Sequence, residues 1–447
     1  MSTRAIVLAA GKGTRMKSTR PKVMHELCGK PMLWYVVRAL HEAGVGEIVV
    51  VTNPFIATYV EAQGLAGVLQ EEQLGTGHAV QIALAKMAPR SGPILIASGD
   101  MPLVEGSLFR EAIAALDAQT ALALVTASMP LPSNFGRVVR DDGRVCKIVE
   151  VRDCTPDQLA IDEMNAGIYA FDEAALRLVI GNLRSDNAQQ EYYLTDTIEL
   201  LLAAGRAVVP VKAEDHRTVL GINDRTELAF AGKVMNERLC RRHMLAGVSI
   251  VDPATTYLEP DVAIGRDTIL LPNTSVRGLT TIGTDCEIGP GSCVLDAKIG
   301  DRVRVTHSFV TSATIDDDGR IGPFAQIRPG TRLHRGVHIG NFTEVKSSEL
   351  HDGVKANHLA YIGDATIGRD TNIGAGTITC NYDGKAKHRT TIGENVFIGS
   401  DTMLRAPLTI GDRGATGAGS VVLHDVAPGE TVVGNPAKPV RKKSTAE

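Results

Sequence analysis

The sequence predicts two architectures in tandem: a Rossmann-like α/β domain, then a left-handed parallel β-helix of hexapeptide repeats. Three observations carry this. The first half alternates short apolar runs with helical patterns, whereas beyond Gly247 the apolar residues recur six apart. Glycine is uneven, with 19 of 45 in residues 1–246 and 26 in the shorter stretch 247–447. Aromatic residues are only 4% of the chain, as a narrow core filled by one small aliphatic per side requires.

Taken in order, Arg4–Ala9 reads as a buried strand, Met32–Ala43 as an amphipathic helix and Glu47–Thr52 as the next strand. Gly77–Met87 is helical, Pro93–Ala97 a strand and Gly106–Ala118 helical again. Such alternation implies βαβ units and a largely parallel sheet, with a ligand crevice at the carboxyl ends of its strands. This domain is expected over residues 1–223, a linker helix over 224–246 and the β-helix over 247–447. Asp224 can cap the linker helix, and Leu228, Met235, Leu239 and Leu245 supply its apolar stripe.

Ile264, Leu270, Val276, Ile282, Ile288 and Val294 fall six apart, as do Ile321, Ile327, Leu333, Ile339 and Val345, and then Ile392, Ile398, Leu404 and Ile410. Three hexapeptides make one triangular turn, so residues 250–435 hold about ten turns. Thr377–Lys387 breaks the rhythm and reads as an inserted loop, the kind that forms binding walls on solenoids.

Composition narrows the class. Hydrophobic residues at 44% and charged residues at 22% are ordinary for a soluble globular protein, and no apolar run approaches a membrane span. Seven cysteines without regular spacing suggest free thiols in a reducing, cytoplasmic setting. A net charge of −4 gives no reason to expect nucleic acid.

The string LAAGKGTRM at 8–16 joins the first strand to the next element. Gly11 and Gly13 allow a tight turn whose amides can face an anion, and Lys12, Arg15 and Lys22 add positive charge. It is neither a Walker loop nor GxGxxG. In the β-helix, residues 18 apart stack on adjacent turns, so Arg328 and Lys346 form a clamp for a dianion, and Ser400 lies 18 after Tyr382 and 18 before Ala418. His334, His338, His351 and His358 could suggest the zinc site of β-helix carbonic anhydrases. The relevant separations, 17 and 20, do not keep one phase of a turn built from three hexapeptides, so no such site is expected.

The 8–16 string with Pro21 and Lys22, followed by QEEQLGTGH at 70–78, SGDMPL at 98–103, NFGR at 134–137, IVE at 148–150, MNAGI at 164–168 and GINDR at 221–225, resembles the sugar-nucleotide nucleotidyltransferases. With NHLAY at 357–361 and NIGAGTITCNY at 372–382 behind them, they are similar to the bacterial bifunctional N-acetylglucosamine-1-phosphate uridyltransferase/glucosamine-1-phosphate N-acetyltransferases over roughly residues 4–430.

That resemblance implies acetyl transfer from acetyl-CoA to glucosamine 1-phosphate, then uridylyl transfer from UTP to give UDP-N-acetylglucosamine for the cell envelope. By it, Leu8, Ala9, Ala10 and Gly11, with Gln70, Gly75 and Thr76, hold uracil and ribose. Arg15 and Lys22 neutralise the triphosphate, Ser98 and Gly99 border the site, and Gly136, Glu150 and Asn165 hold the sugar. Asp100 and Asn223 bind one Mg2+. Ser98 stands where the family often has a bulkier residue.

By the same resemblance, His358 in the β-helix is the general base, Arg328 and Lys346 hold the sugar phosphate, and Glu344 is placed to orient the amine or the histidine. Tyr361, Asn372, Asn381 and Tyr382 contact the amino sugar, Asn381 and Tyr382 also joining Ala375, Ser400 and Ala418 along the acetyl-CoA groove. The family's C-terminal arginine for CoA has no counterpart near Asn435, leaving Lys438 or the run Arg441, Lys442 and Lys443 to replace it. The resemblance also implies a homotrimer. The alternative is a single-function nucleotidyltransferase with a structural β-helix.

Overall fold

A computed structural model describes residues 3–440 of the chain. The expectation for Arg441, Lys442 and Lys443 therefore lies outside the described residues. The chain forms two compact units, Met1–Met235 and Asn236–Glu447.

In the first unit, strands β1 (Arg4–Leu8), β2 (Glu47–Thr52), β3 (Ala66–Leu69), β4 (Pro93–Ser98), β5 (Thr120–Ser128), β6 (Arg137–Asp141), β7 (Arg144–Val149), β8 (Glu163–Asp172) and β9 (Ala207–Lys212) share one sheet. The main order is β9-β5-β8-β4-β1-β2-β3, with the β6–β7 hairpin attached to β8. Strands β1, β2, β3 and β4 pair in parallel through crossover helices, as expected. β8 departs from that expectation, running antiparallel to both β4 and β5. It is reached from β5 through the β6–β7 excursion, with no full crossover to reverse the chain.

The sheet is covered on both faces. Ala5 and Val7 pack with Leu33, Val36 and Leu40 of α1 (Met32–Glu42), while Ile6 packs on the other side with Val80, Ala83 and Leu84 of the helix Thr76–Lys86. That burial explains the unbroken apolar runs of the central strands. The helix expected over Gly106–Ala118 stops at Ala114. Asp117 closes the chain instead, its Oδ1 accepting from the amides of Gln119 and Thr120.

Asp224 does cap the helix Arg225–Leu245, accepting from the amides of Thr226 and Glu227. Met235 and Leu239 are buried as expected, but Leu245 is 77% exposed. At the end of the helix, His243 takes the buried place, and the amide of Val248 folds back onto its carbonyl.

The second unit is a left-handed parallel β-helix whose three sheets hold 12, 10 and 9 strands. The six-residue period places one aliphatic per side inward, and Val276, Val294, Val310, Ile327 and Val345 form one column at 0% exposure. Corners are closed by buried hydroxyls such as Thr268, Thr274, Ser308 and Ser348, which bond backbone groups that the turn leaves without a strand partner.

The turns are not all of one length. Gln326 pairs with Glu344, a full three hexapeptides on, but Arg332 pairs with Glu349, one position short of that repeat. Asn372 pairs with Phe397, well past it, because the inserted stretch lies between them. Two expectations change as a result. His334 and His351 do share a phase, their rings stacked 4.7 Å apart, because the turn between them is one of those that fall a residue short. Tyr382 does not stack on Ser400. Ala375 does, and the amide of Asp401 bonds the Ala375 carbonyl at 2.6 Å. The insertion also begins later than expected: Ile378–Cys380 remains in register with Met403–Arg405, and the extra residues form a hairpin closed by a bridge between Tyr382 and Lys387.

The first unit carries a buried ion pair, Arg4–Glu173 at 2.9 Å with both side chains at most 2% exposed, extended by Arg177 on the same carboxylate. Removing Glu173 takes away the buried carboxylate shared by Arg4 and Arg177 and leaves buried Arg4 with the partly exposed Glu47 at 3.2 Å as its carboxylate partner. Glu173→Ala is therefore expected to destabilise this unit by about 3–5 kcal/mol, measured by urea denaturation with the fluorescence of Trp34, the single tryptophan.

Candidate active sites

The carboxyl end of β1 opens into a cavity of about 340 Å³ lined by Leu8, Ala10, Gly11, Lys12, Gln70, Gln73, Gly75, Thr76, Ser98 and Glu191. Ala9 is buried beneath it, its amide bonded to Val51, and Gly99 is tied to the Leu8 carbonyl. Sequence reasoning missed Gln73 and Asn53, both of which donate to the Ala10 carbonyl and hold the loop. It also missed Glu191. Neither amide is distinctive in the string; only folding brings them to Ala10.

Gly13 sits at φ +59°, and a Cβ there would lie 2.5 Å from the Cβ of Lys22. Only glycine lets the two loops close, which is how Lys22 reaches the site. Its ammonium touches Asp100 Oδ2 and lies 3.2 Å from Asn223 Oδ1, which also accepts from Arg15 at 2.9 Å. Asp100 and Asn223 are thus brought together around one cationic point, with the Ile222 amide bonded to the Asp100 carbonyl. A carboxylate and an amide oxygen converging on an ammonium form a hard-oxygen donor set suited to Mg2+.

Gly136, Glu150 and Asn165 also meet. The Asn165 amide bonds the Gly136 carbonyl at 2.8 Å, and a Cβ on Gly136 would come within 3.3 Å of Glu150 Oε1. The Asn165 side chain donates to the buried hydroxyl of Tyr169. Burial raises Glu150 above the ordinary carboxylate range, and Asp153, Asp196 and Glu191 add to the rise. Asp196 is itself pushed to about 6, mainly by burial. This corner awaits a hydrogen-bond donor rather than another anion.

On the β-helix, Asn341 pairs in register with His358, and the ladder continues through Ala375, Ser400 and Ala418, as the bonds Gly376 to Leu359, Asp401 to Ala375 and Gly419 to Ser400 record. The expected base and the expected groove residues therefore share one corner. Asn341 Oδ1 lies 2.9 Å from His358 Nδ1. An amide oxygen only accepts, so the histidine proton sits on Nδ1 and Nε2 is left to take another.

On the adjoining ten-stranded sheet, Glu344 pairs with Tyr361 and also with the Arg328 guanidinium. A Cβ on Gly363 would lie 2.6 Å from the Tyr361 hydroxyl and 2.8 Å from Asn381 Nδ2, so bare Gly363 gathers these two side chains. Asn381 also donates to Asp364, whereas Tyr382 is 61% exposed on the hairpin. Asn372 is placed apart from them, between Lys355 and Phe397 on the 12-stranded sheet. The hairpin adds a residue that sequence reasoning missed. Lys387 stands against Lys346, and its hydrogen bonding, then desolvation, then its charge hold Lys346 below the usual lysine range, with Asp364 opposing.

A polar cavity at the strand ends of an α/β sheet, and a separate cluster of histidine, amide and lysine side chains on a hexapeptide β-helix, are the build of a two-site transferase. Residues 5–141 match the MobA-like NTP transferase domain family. The chain is 46% identical to the bifunctional protein GlmU of Trichlorobacter lovleyi, over 95% of this chain and 94% of that one. It is 43% identical to the bifunctional protein GlmU of Streptococcus agalactiae serotype III, over 97% and 95%. The chain belongs to the GlmU family of bifunctional proteins.

The crowding of Lys346 has a sign that can be checked. With its pKa lowered, Lys346 loses its proton before an ordinary lysine as pH rises, and phosphate affinity should fall there. Lys387→Ala should weaken phosphate binding roughly 10-fold at neutral pH, while moving that alkaline loss to higher pH. Calorimetric titration with glucosamine 1-phosphate across pH measures both.

Proposed function

We propose that the chain makes UDP-N-acetylglucosamine in two reactions at separate sites. The observation that carries this reading is the column Asn341, His358, Ala375, Ser400 and Ala418 together with the cations Arg328, Lys346 and Lys387 grouped on the same β-helix. A β-helix serving only as scaffold has no need of an oriented base and a cluster of three cations.

For acetyl transfer, the cations hold the phosphate of glucosamine 1-phosphate, and Tyr361 and Asn381 address the sugar. His358 Nε2 takes a proton from the amine, whose lone pair attacks the thioester carbonyl of acetyl-CoA and expels the CoA thiolate. The small residues Ala375, Ser400 and Ala418 leave the groove open for that thioester, with Tyr382 on its wall and Lys438 in the terminal strand available to the CoA phosphates.

For uridylyl transfer, Leu8 to Gly11, Gln70, Gly75 and Thr76 hold uracil and ribose, and Gly136, Glu150 and Asn165 hold N-acetylglucosamine 1-phosphate. Its phosphate oxygen attacks the α-phosphorus of UTP and pyrophosphate leaves. Arg15 and Lys22 offset the charge on the triphosphate. Asp100 and Asn223 would hold Mg2+, which supplies charge neutralisation across the reacting phosphates when bound.

We further place the protein in the cytoplasm as a homotrimer joined through its β-helices. An exposed ladder supports the association: the rings of His307, Phe324 and Phe342 stack at 5.7 and 5.5 Å, with Phe324 and Phe342 more than half exposed. Among the described residues, no helix is long and apolar enough to cross a membrane.

The two sites should separate by mutation. Asp100→Ala is expected to abolish pyrophosphate release from UTP while acetyl transfer continues. His358→Ala should lower acetyl transfer by about 10² to 10⁴ and leave uridylyl transfer to supplied N-acetylglucosamine 1-phosphate intact. Equal loss of both activities in either folded variant would overturn the two-site reading. Asn341→Ala should lower the acetyl-transfer kcat with little change in KM and alter its pH profile, because the histidine loses the partner that fixes its tautomer. Sedimentation of the full chain at the mass of three copies tests the trimer.

A further inference from the structure

The shortened turn that brings His334 over His351 builds a cluster that neither reaction uses. It lies on the nine-stranded sheet and the corner after it. Asp316, His334 and His351 follow the inward residues Ile315, Leu333 and Leu350, which pair in register. Glu349 precedes Leu350 and pairs with Arg332.

The side chains converge. His334 Nε2 lies 2.9 Å from Glu349 Oε1, and one ligand atom from each of His334, Glu349 and His351 falls within 4.8 Å of the others. The second ring nitrogen of His334, Nδ1, lies 3.4 Å from Asp316 Oδ2, and Arg332 approaches the same carboxylate at 3.3 Å. His334 is only 19% exposed, so its ring is held on both sides.

We propose that His334, His351 and Glu349 bind one divalent transition metal of the Zn2+ class, stapling neighbouring turns of the β-helix. Two imidazoles and a carboxylate are the donor set that zinc selects, with water completing a tetrahedron. Asp316 on the far nitrogen of His334 supplies the carboxylate that commonly orients a metal-bound histidine and raises its basicity. Arg332 pairs with the same Asp316 carboxylate and also stands in register with Glu349, where the His334 hydrogen bond, and to a lesser degree the Arg332 charge, keep that ligand ionised.

Zinc–nitrogen bonds of ~2.0–2.1 Å place tetrahedral ligand atoms roughly 3.4 Å apart. At 2.9 Å the His334–Glu349 contact is about 0.5 Å inside this spacing and opens to admit the ion, and the His351 ring, stacked within 7° of parallel on His334, rotates out of the stack to aim its nitrogen at the same point. The alternative occupant of the same geometry is a proton, giving an ordinary histidine–carboxylate pair. The two differ in whether the cluster takes up metal.

The test uses the full-length protein, stripped with chelator, its thiols alkylated and its oxygen site saturated with Mg2+. Titration with Zn2+ should show one equivalent per chain that is absent from His334→Ala and His351→Ala. Asp316→Asn should retain the site with affinity weakened roughly 10- to 100-fold. Co2+ in place of zinc should give the intense visible absorption of a tetrahedral site, and Glu349→Gln, a change on the exposed rim, should shift or abolish it. Far-UV circular dichroism and acetyl transfer by each variant, both of which report on the β-helix itself, confirm that it is folded. Equal Zn2+ uptake by the wild type and both histidine variants, or Co2+ spectra unaltered by Glu349→Gln, would overturn the assignment and leave a protonic pair.

Discussion

Each turn of the β-helix returns the chain to within one strand spacing, ~4.8 Å, of its previous turn. Inward, this demands an aliphatic of nearly constant size at every sixth position, which produces the unbroken buried columns. Outward, it lines up side chains far apart in sequence. The spacing of chemistry on the surface is therefore set by the length of each turn. Where the turn from Arg332 to Glu349 falls one position short of three hexapeptides, two histidines meet. Where the turn from Asn372 to Phe397 is lengthened, Ala375 meets Ser400 and a hairpin is left to carry Lys387 toward Lys346.

The first unit follows a different logic. Its sheet is buried on both faces, so polar chemistry is confined to loops at the strand ends. Those loops concentrate opposite charge at two places. Lys22 and Arg15 crowd Asp100 and Asn223, giving a point that is cationic without a metal and built of oxygen donors. Glu150, Glu191, Asp153 and Asp196 crowd the opposite corner, where burial and mutual repulsion raise the pKa of Glu150 and Asp196. The first place suits an anion, and the second suits neutral hydrogen-bond donors.

Legibility followed the length scale of each signal. Period-six spacing held within its runs because it records an inward direction that each side of the helix repeats, and it shifted wherever a turn was trimmed or lengthened. Asp224 as a cap was readable because its partners are two and three positions away. Leu245 misled because its place in a helical stripe says nothing about where the packing ends. The antiparallel β8 was invisible because pairing direction depends on the route between strands, not on the strands themselves. The phase of His334 and His351 failed for a single omitted residue, since a rule of equal turns converts a one-residue trim into a different face.

The sequence by itself determined the division into an α/β unit and a β-helix, the glycine loop with its cations, and the candidates Asp100, Asn223, Arg328, Lys346 and His358. The division is carried by composition and periodicity, the Arg328 and Lys346 pair by their 18-residue spacing, and the others by short strings that the resemblance reads. Only the tertiary structure decided which of them meet. The tautomer of His358 comes from Asn341, the lowered Lys346 from Lys387, the closure of the loop on Lys22 from Gly13, and the His334 cluster from a shortened turn. Each depends on a distance between residues separated along the chain, and such distances exist only once the backbone hydrogen bonds have fixed the register.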